Sequence, residues 1–294
     1  MPDIAWSVWD GLRHYSDISK LFNVTKCSTD AQASIDGKEC RVPDDITREL
    51  RRAYYSCISY TDAQIGRVIK ALEEQGFSND TIIVLWADHG WQLGEHNEWC
   101  KHTNFEDATH VPFLLHIPGV TDSGMHTKGF VELIDIFPSL AELAGLEVPP
   151  MCPEGNHKLL TCVEGSSVVP LLKNPDQEWK KAAFSQFPRP SDGLETIPGH
   201  PPFSNEHGEN VMGYTMRVDQ YRFTEWVRFN RTTAIPNWDE VWGTELYNHT
   251  QPTVFFDDDN ENLANKPELQ PIVNELRKML HAGWRAALPP RDQK

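Results

Sequence analysis

The chain has 294 residues, 39% of them hydrophobic, enough for a packed core and for one large domain or about two. Its 43 acidic residues outnumber 27 basic ones, and the net charge of −16 excludes a surface that binds nucleic acid or an anionic membrane as a whole. No run of 18 apolar residues occurs, so no membrane insertion is expected. The first 20 residues lack the basic start and apolar stretch of a signal peptide.

Residues 1–42 are polar and irregular, with Trp6, Trp9 and Tyr15 as scattered anchors. Pro43-Asp44-Asp45 then opens a long helix in which Ile46, Leu50, Tyr54, Cys57, Ile58, Ile65, Val68, Ile69 and Leu72 recur at helical spacing. An aspartate can cap its free N–H groups, and Gly76 ends it. The turn Ser78-Asn79-Asp80 leads into the apolar run 81–87, which reads as a buried strand. A helix followed by such a strand is half of a βαβ unit in a parallel sheet. Further strands are expected at 111–117 and 129–131, and a helix at 135–144, closed by Gly145 and Pro149-Pro150.

The pattern changes after Lys180. A strand at 182–187 is followed by a Pro/Gly/His/Ser loop at 188–208. Alternating runs at 211–218 and 221–229 meet at Asp219-Gln220 as a hairpin. Glu245-Leu246-Tyr247, an acidic turn and an amphipathic helix at 267–287 close the chain. The expected organisation is a mainly parallel α/β portion over 1–180, then a smaller antiparallel sheet with one helix over 181–294.

The densest polar cluster follows the 81–87 run: Asp88-His89-Gly90-Trp91-Gln92-Leu93-Gly94-Glu95-His96. Ligands of open α/β sheets bind beyond the carboxyl ends of strands, where Asp88 and His89 stand. Neighbouring strand residues point to opposite faces, so the two converge only if the strand has ended, a turn that Gly90 eases. Two readings are open: a metal pair, or an aspartate capping a turn beside a histidine bonded to backbone. Lys101 is either a positive contact for a bound anion or a solvated lysine. His110 reads as structural. Asp257, Asp259 and Glu268 hold positions one, three and twelve of a calcium loop, but Asn262 stands where glycine is required, which favours a solvated turn.

Four Asn-x-Thr sequons (Asn23, Asn79, Asn230, Asn248) are candidate glycosylation sites. The six cysteines (27, 40, 57, 100, 152, 162) fit either short loop-closing disulfides or reduced thiols.

The string from Trp86-Ala87-Asp88-His89-Gly90 through Lys101, Asn104-Phe105 and Ala108-Thr109-His110-Val111-Pro112 resembles the second signature region of the sulfatases. The similarity extends over most of the chain, through 53–67, Pro188-Arg189-Pro190-Ser191-Asp192 and Glu245-Leu246-Tyr247, and fades after about Asn262. It implies a mixed, mainly parallel sandwich of the alkaline-phosphatase and sulfatase type. It implies sulfate release from uronic acid units of heparan or dermatan sulfate, in a lysosomal or secreted protein. Asp88 and His89 would be two ligands of one Ca2+ ion, Lys101 would contact the sulfate, Trp91 would line the sugar pocket, and Arg189 would be a substrate-side or structural arginine. Cys152 and Cys162 match the spacing of a family disulfide.

The family's nucleophile is a formylglycine made in a Cys-x-Pro-Ser-Arg segment, and no cysteine here has that context. The family's Asp pair at the end of a first strand has no counterpart, because Asp44-Asp45 opens a helix. His200 and His207 stand in the region where the family can place a lysine for the substrate carboxylate. The resemblance therefore implies the C-terminal part of a sulfatase, partnered by a missing N-terminal half and inactive alone. A zinc phosphoesterase of the same superfamily and a non-catalytic truncated copy are the alternatives.

Overall fold

The structure, a computed structural model, describes residues 44–97, 99–101, 103–154, 161–189, 210–230, 232–250, 259, 261–290 and 292. The chain divides into two compact units: Met1–Asp122 with Thr253–Glu261, and Ser123–Pro252 with Asn262–Lys294. That boundary lies well before Lys180.

The first unit is built on α1 (Asp44–Glu74), a 31-residue helix that ends where Gly76 takes positive φ. Strand β1 (Ile83–Trp86) follows, then the short strands β2 (Gln92–Leu93) and β3 (Trp99–Cys100), the one-turn helix α2 (Glu106–Thr109) and β4 (Phe113–His116). The apolar run at 81–87 does form a strand, but its described partner is β4, and the two pair antiparallel from Ile83–His116 to Trp86–Phe113. An apolar run encodes burial but not strand direction, so the parallel expectation had no residue to correct it. The apolar stripe of α1 is also only partly covered. Ile46, Leu50 and Tyr54 pack against Leu93 and Trp99, whereas Cys57, Ile58 and Val68 are exposed.

The second unit begins with a loop. Residues 129–131, expected as a strand, pair with none among the described residues; Phe130 instead accepts a hydrogen bond from Trp179 Nε1 at 3.0 Å. A 3-10 turn, Leu133–Asp135, leads into α3 (Ile136–Leu143), and α4 (Val169–Lys173) follows. Strands β5 (Ala183–Arg189), β6 (Asn210–Arg217), β7 (Tyr221–Asn230) and β8 (Ile235–Asn248) form one antiparallel sheet in chain order. Helix α5 (Gln270–Ala282) lays Val273, Leu276 and Leu280 into a core with Met216, Phe223 and Leu246. The helix expected at 267–287 is thus three pieces: a 3-10 turn at Pro267–Leu269, α5, and a 3-10 turn at Trp284–Ala287 set off by Gly283 with positive φ.

Three buried polar clusters tie this unit together. Lys180 Nζ lies 2.7 Å from Glu132 Oε2 and 2.7 Å from Asp135 Oδ1, with its side chain only 2% exposed. Buried Glu225 on β7 meets Arg277 Nε at 2.6 Å and His281 Nε2 at 2.7 Å, both on α5. Glu245 accepts from Trp226 Nε1 and, at 2.5 Å, from Tyr247 Oη. A buried carboxylate without such partners would cost several kcal/mol, roughly. Cys152 and Cys162 form a disulfide, and Arg285 donates to the Cys152 carbonyl. Cys57 and Cys100 take part in no disulfide; Cys27 and Cys40 lie outside the described residues.

Candidate active site

Asp88 and His89 stand two and three residues past the end of β1, where the strand has released its pleat. Their side chains therefore converge: His89 Nε2 lies 3.5 Å from Asp88 Oδ2, and Asp88 is 86% exposed. His89 Nδ1 lies 2.8 Å from the Gly90 carbonyl. A carbonyl only accepts, so Nδ1 donates there, and Nε2 is the nitrogen that faces the Asp88 carboxylate. Metal-bound histidines are held in the same way, by a second nitrogen bonded to backbone or carboxylate. Both open readings meet here: His89 does bond backbone, and that bond leaves the other nitrogen facing the carboxylate.

Gly90 is set by packing. Its N–H donates to Ala108 O at 2.9 Å, and an added Cβ would stand 1.9 Å from the Asp107 carbonyl oxygen. The chain then forms the β2–β3 hairpin, which carries strain in its connection and in β3. His96 (φ 56°) and Cys100 (φ 85°) occupy the left-handed region without being glycine, and such backbone clusters at functional sites. The hairpin returns Lys101 to the neighbourhood of Trp91, with Nζ 5.3 Å from the ring centroid. The Trp91 ring also lies 6.3 Å from the His89 ring. Asp88, His89, Trp91 and Lys101 thus form one connected group.

Two members of this neighbourhood were not singled out from sequence. Arg51 on α1 donates through Nε to the Leu93 carbonyl at 2.9 Å and through Nη2 to Glu95 Oε1 at 3.0 Å. Tyr54, one turn along, stacks on Trp91 with centroids 6.0 Å apart and planes at 26°. Burial, with a smaller contribution from Tyr55, raises the Tyr54 pKa above its ordinary 10.0 and keeps the phenol neutral. An arginine beside an apolar helical stripe was the available signal for Arg51; Tyr54 reads as plain core.

Other candidates stand apart. Arg189 ends β5 opposite Val211 in register. His110 pairs with Glu106 at 3.0 Å, a structural role. Asp259 overturns both readings of the acidic turn. It is buried, and its Oδ2 accepts the Glu106 N–H at 2.7 Å, so it caps α2 rather than facing water or serving a calcium loop. Asn79, Asn230 and Asn248 are exposed; Asn23, His200 and His207 lie outside the described residues. Among the described residues, no three His, Cys, Asp or Glu side chains gather as a metal site, and no helix is long and apolar enough to cross a membrane.

Solved structures show the fold. The phosphonate monoester hydrolase SpPMH from Silicibacter pomeroyi superposes with a TM-score of 0.62 at 23% identity, over 86% of this chain and 44% of that one. BT4656, solved with its substrate D-glucosamine-2-N,6-O-disulfate, gives 0.57 at 20% identity, over 96% and 48%. The fold is the mixed α/β fold of the alkaline-phosphatase and sulfatase type.

The family model described as Sulfatase matches residues 16–146 of this chain. Among curated proteins it is similar to iduronate 2-sulfatase of Mus musculus, 32% identical over 94% of this chain and 53% of that protein. Iduronate 2-sulfatase of Homo sapiens is 33% identical over 84% and 48%. Arylsulfatase K of Canis lupus familiaris is 24% identical over 82% and 42%. The chain spans about half the length of the curated relatives it matches.

Proposed function

We propose that the intact protein is a sulfuric ester hydrolase that removes sulfate from uronic acid units of glycosaminoglycans. The carrying observation is the approach of Lys101 Nζ to Trp91, beside the His89 nitrogen that faces the Asp88 carboxylate. An ammonium fixed against an aromatic face can neutralise an anionic sulfate and its leaving oxygen, which is electrostatic stabilisation of developing charge. Trp91 offers an apolar wall to a sugar ring, and Arg189 a guanidinium on the substrate side or in the frame.

Asp88 and His89 would hold one Ca2+ ion, which when bound would supply positive charge to the sulfate oxygens. The fit is partial. An exposed carboxylate suits calcium, while an imidazole suits zinc better, and two donors alone bind calcium weakly. The remaining ligands and the formylglycine nucleophile would come from an N-terminal half, the partner of this chain, with residues 1–180 completing the catalytic domain and 181–294 the C-terminal subdomain. Without the nucleophile covalent catalysis is forfeited, so this polypeptide alone turns over little or nothing. Lysosomal or secreted residence, with glycans on Asn23, Asn79, Asn230 and Asn248, fits the Cys152–Cys162 disulfide.

Sulfate release from a sulfated iduronate substrate tests the reading. The intact protein is expected to act, to lose about 100-fold or more in rate on Lys101→Ala, and to lose activity on calcium chelation. Turnover by the isolated chain, or an intact protein indifferent to Lys101→Ala, would overturn the assignment. A zinc-dependent phosphoesterase is the second reading, favoured by the imidazole donor; zinc in the purified intact protein with phosphodiester cleavage would establish it instead.

A further inference from the structure

Helix α1 grips the site loop at two points one turn apart. Arg51 holds the Leu93 carbonyl and the Glu95 carboxylate, and Tyr54 holds the Trp91 ring. Residues three apart on a helix share a face, and Ile46 and Leu50 on that face pack against the same hairpin. Trp91 is the common element: its ring is stacked on Tyr54 and carries the Lys101 ammonium.

A cation–π contact depends on where the ring stands, because the attraction comes from the ring's quadrupole. Trp91 is only partly buried. A partly exposed tryptophan stays in one rotamer only if something packs against it.

We propose that Tyr54 is a positioning residue for the Lys101 ammonium: its ring fixes Trp91, and Trp91 fixes the charge. Tyr54 itself reaches no substrate. The inference rests on the sulfatase reading only for what the ammonium does, and not for how it is held. The stack needs a neutral aromatic ring, which the resistance of the buried phenol to ionisation preserves. Phenylalanine supplies the same face, so the hydroxyl is dispensable.

Ring-current shifts in NMR read the geometry directly, in the full 294-residue chain with 13C-labelled lysine. The Lys101 ε-CH2 signal, assigned by its loss in Lys101→Arg, is expected upfield of the exposed lysines. Tyr54→Phe keeps it there, and Tyr54→Leu returns it to the position of an exposed lysine. A folded Tyr54→Leu chain with the signal unmoved, or a Tyr54→Phe chain that loses the shift, overturns the proposal. An Overhauser effect between the Tyr54 and Trp91 rings is expected in the unsubstituted chain, and its absence overturns the proposal even if Tyr54→Leu fails to fold.

In the intact protein, Tyr54→Leu should lower kcat/KM for sulfate-ester hydrolysis about tenfold, while Tyr54→Phe stays within about twofold. A folded Tyr54→Leu protein with unaltered kcat/KM overturns the role. If the Lys101 signal responds as expected while hydrolysis ignores Lys101→Ala, the positioning stands and the sulfatase reading fails.

Discussion

The β1–β4 pair and the β5–β8 sheet use similar residues to opposite ends. Leu114 on β4 is 56% exposed and Trp86 on β1 is 49% exposed, whereas Met216, Phe223 and Leu246 are fully enclosed between their sheet and α5. A strand residue is buried only when another layer covers its face. The C-terminal sheet carries its own cover, because α5 presents a continuous apolar stripe to it. The segment that bears Asp88 and His89 is attached to a pair in which Leu85, Trp86 and Leu114 are exposed. Cohesion and chemistry are thus carried by different regions.

That contrast can be broken by experiment. The largest effect is expected from Phe223→Ala, which should destabilise the second unit by about 4 kcal/mol, while Leu114→Ala changes stability by less than about 0.5 kcal/mol. Urea unfolding of the two variants decides it: equal losses would show that the exposed leucine is covered in solution. Next comes Lys180→Ala, which leaves the carboxylates of Glu132 and Asp135 buried without their cation and should cost about 3 kcal/mol. A loss below about 1 kcal/mol would show that water enters the cluster.

The smallest effect sharpens the comparison by pH. Burial raises the pKa of both Tyr54, in the first unit, and Tyr214, in the second, above the ordinary 10.0. Below pH 10 the folded and unfolded phenols are both neutral and the preference for folding is intact. As pH rises past 10 the unfolded phenols ionise first, and stability is lost through the folded-state pKa values. A melting temperature that falls as pH rises past 10, and falls less in Tyr54→Phe, is the expected record.

Much of the C-terminal sheet was legible because its signals are local. The alternation over 211–218 and 221–229 and the polar pair Asp219-Gln220 encode a hairpin by themselves, and β6 and β7 follow it in register. Strand β8 was not legible beyond Glu245-Leu246-Tyr247. Its outer half carries Asp239 and Glu240, and its pairing slips twice around Val227, which disrupts any period of two. The strand expected at 129–131 failed for a non-local reason, since the indole of Trp179 takes the Phe130 carbonyl.

The site divides the same way. Asp88 and His89 are adjacent and follow a strand, so their convergence could be foreseen. The reach of Arg51 to Leu93, across 42 residues, depends on how α1 packs and leaves no trace in spacing.

The glycine of Asp-His-Gly closes the account differently from its two neighbours. Asp88 is open to solvent, so replacing it would change what the loop can hold and leave the chain path alone. Gly90 stands where any side chain would strike the Asp107 carbonyl, whatever the loop holds. A copy that had shed its chemistry would still be obliged to spell that third letter. In a diverged chain the surviving glycine testifies to inherited architecture, and only the two letters before it testify to a working site.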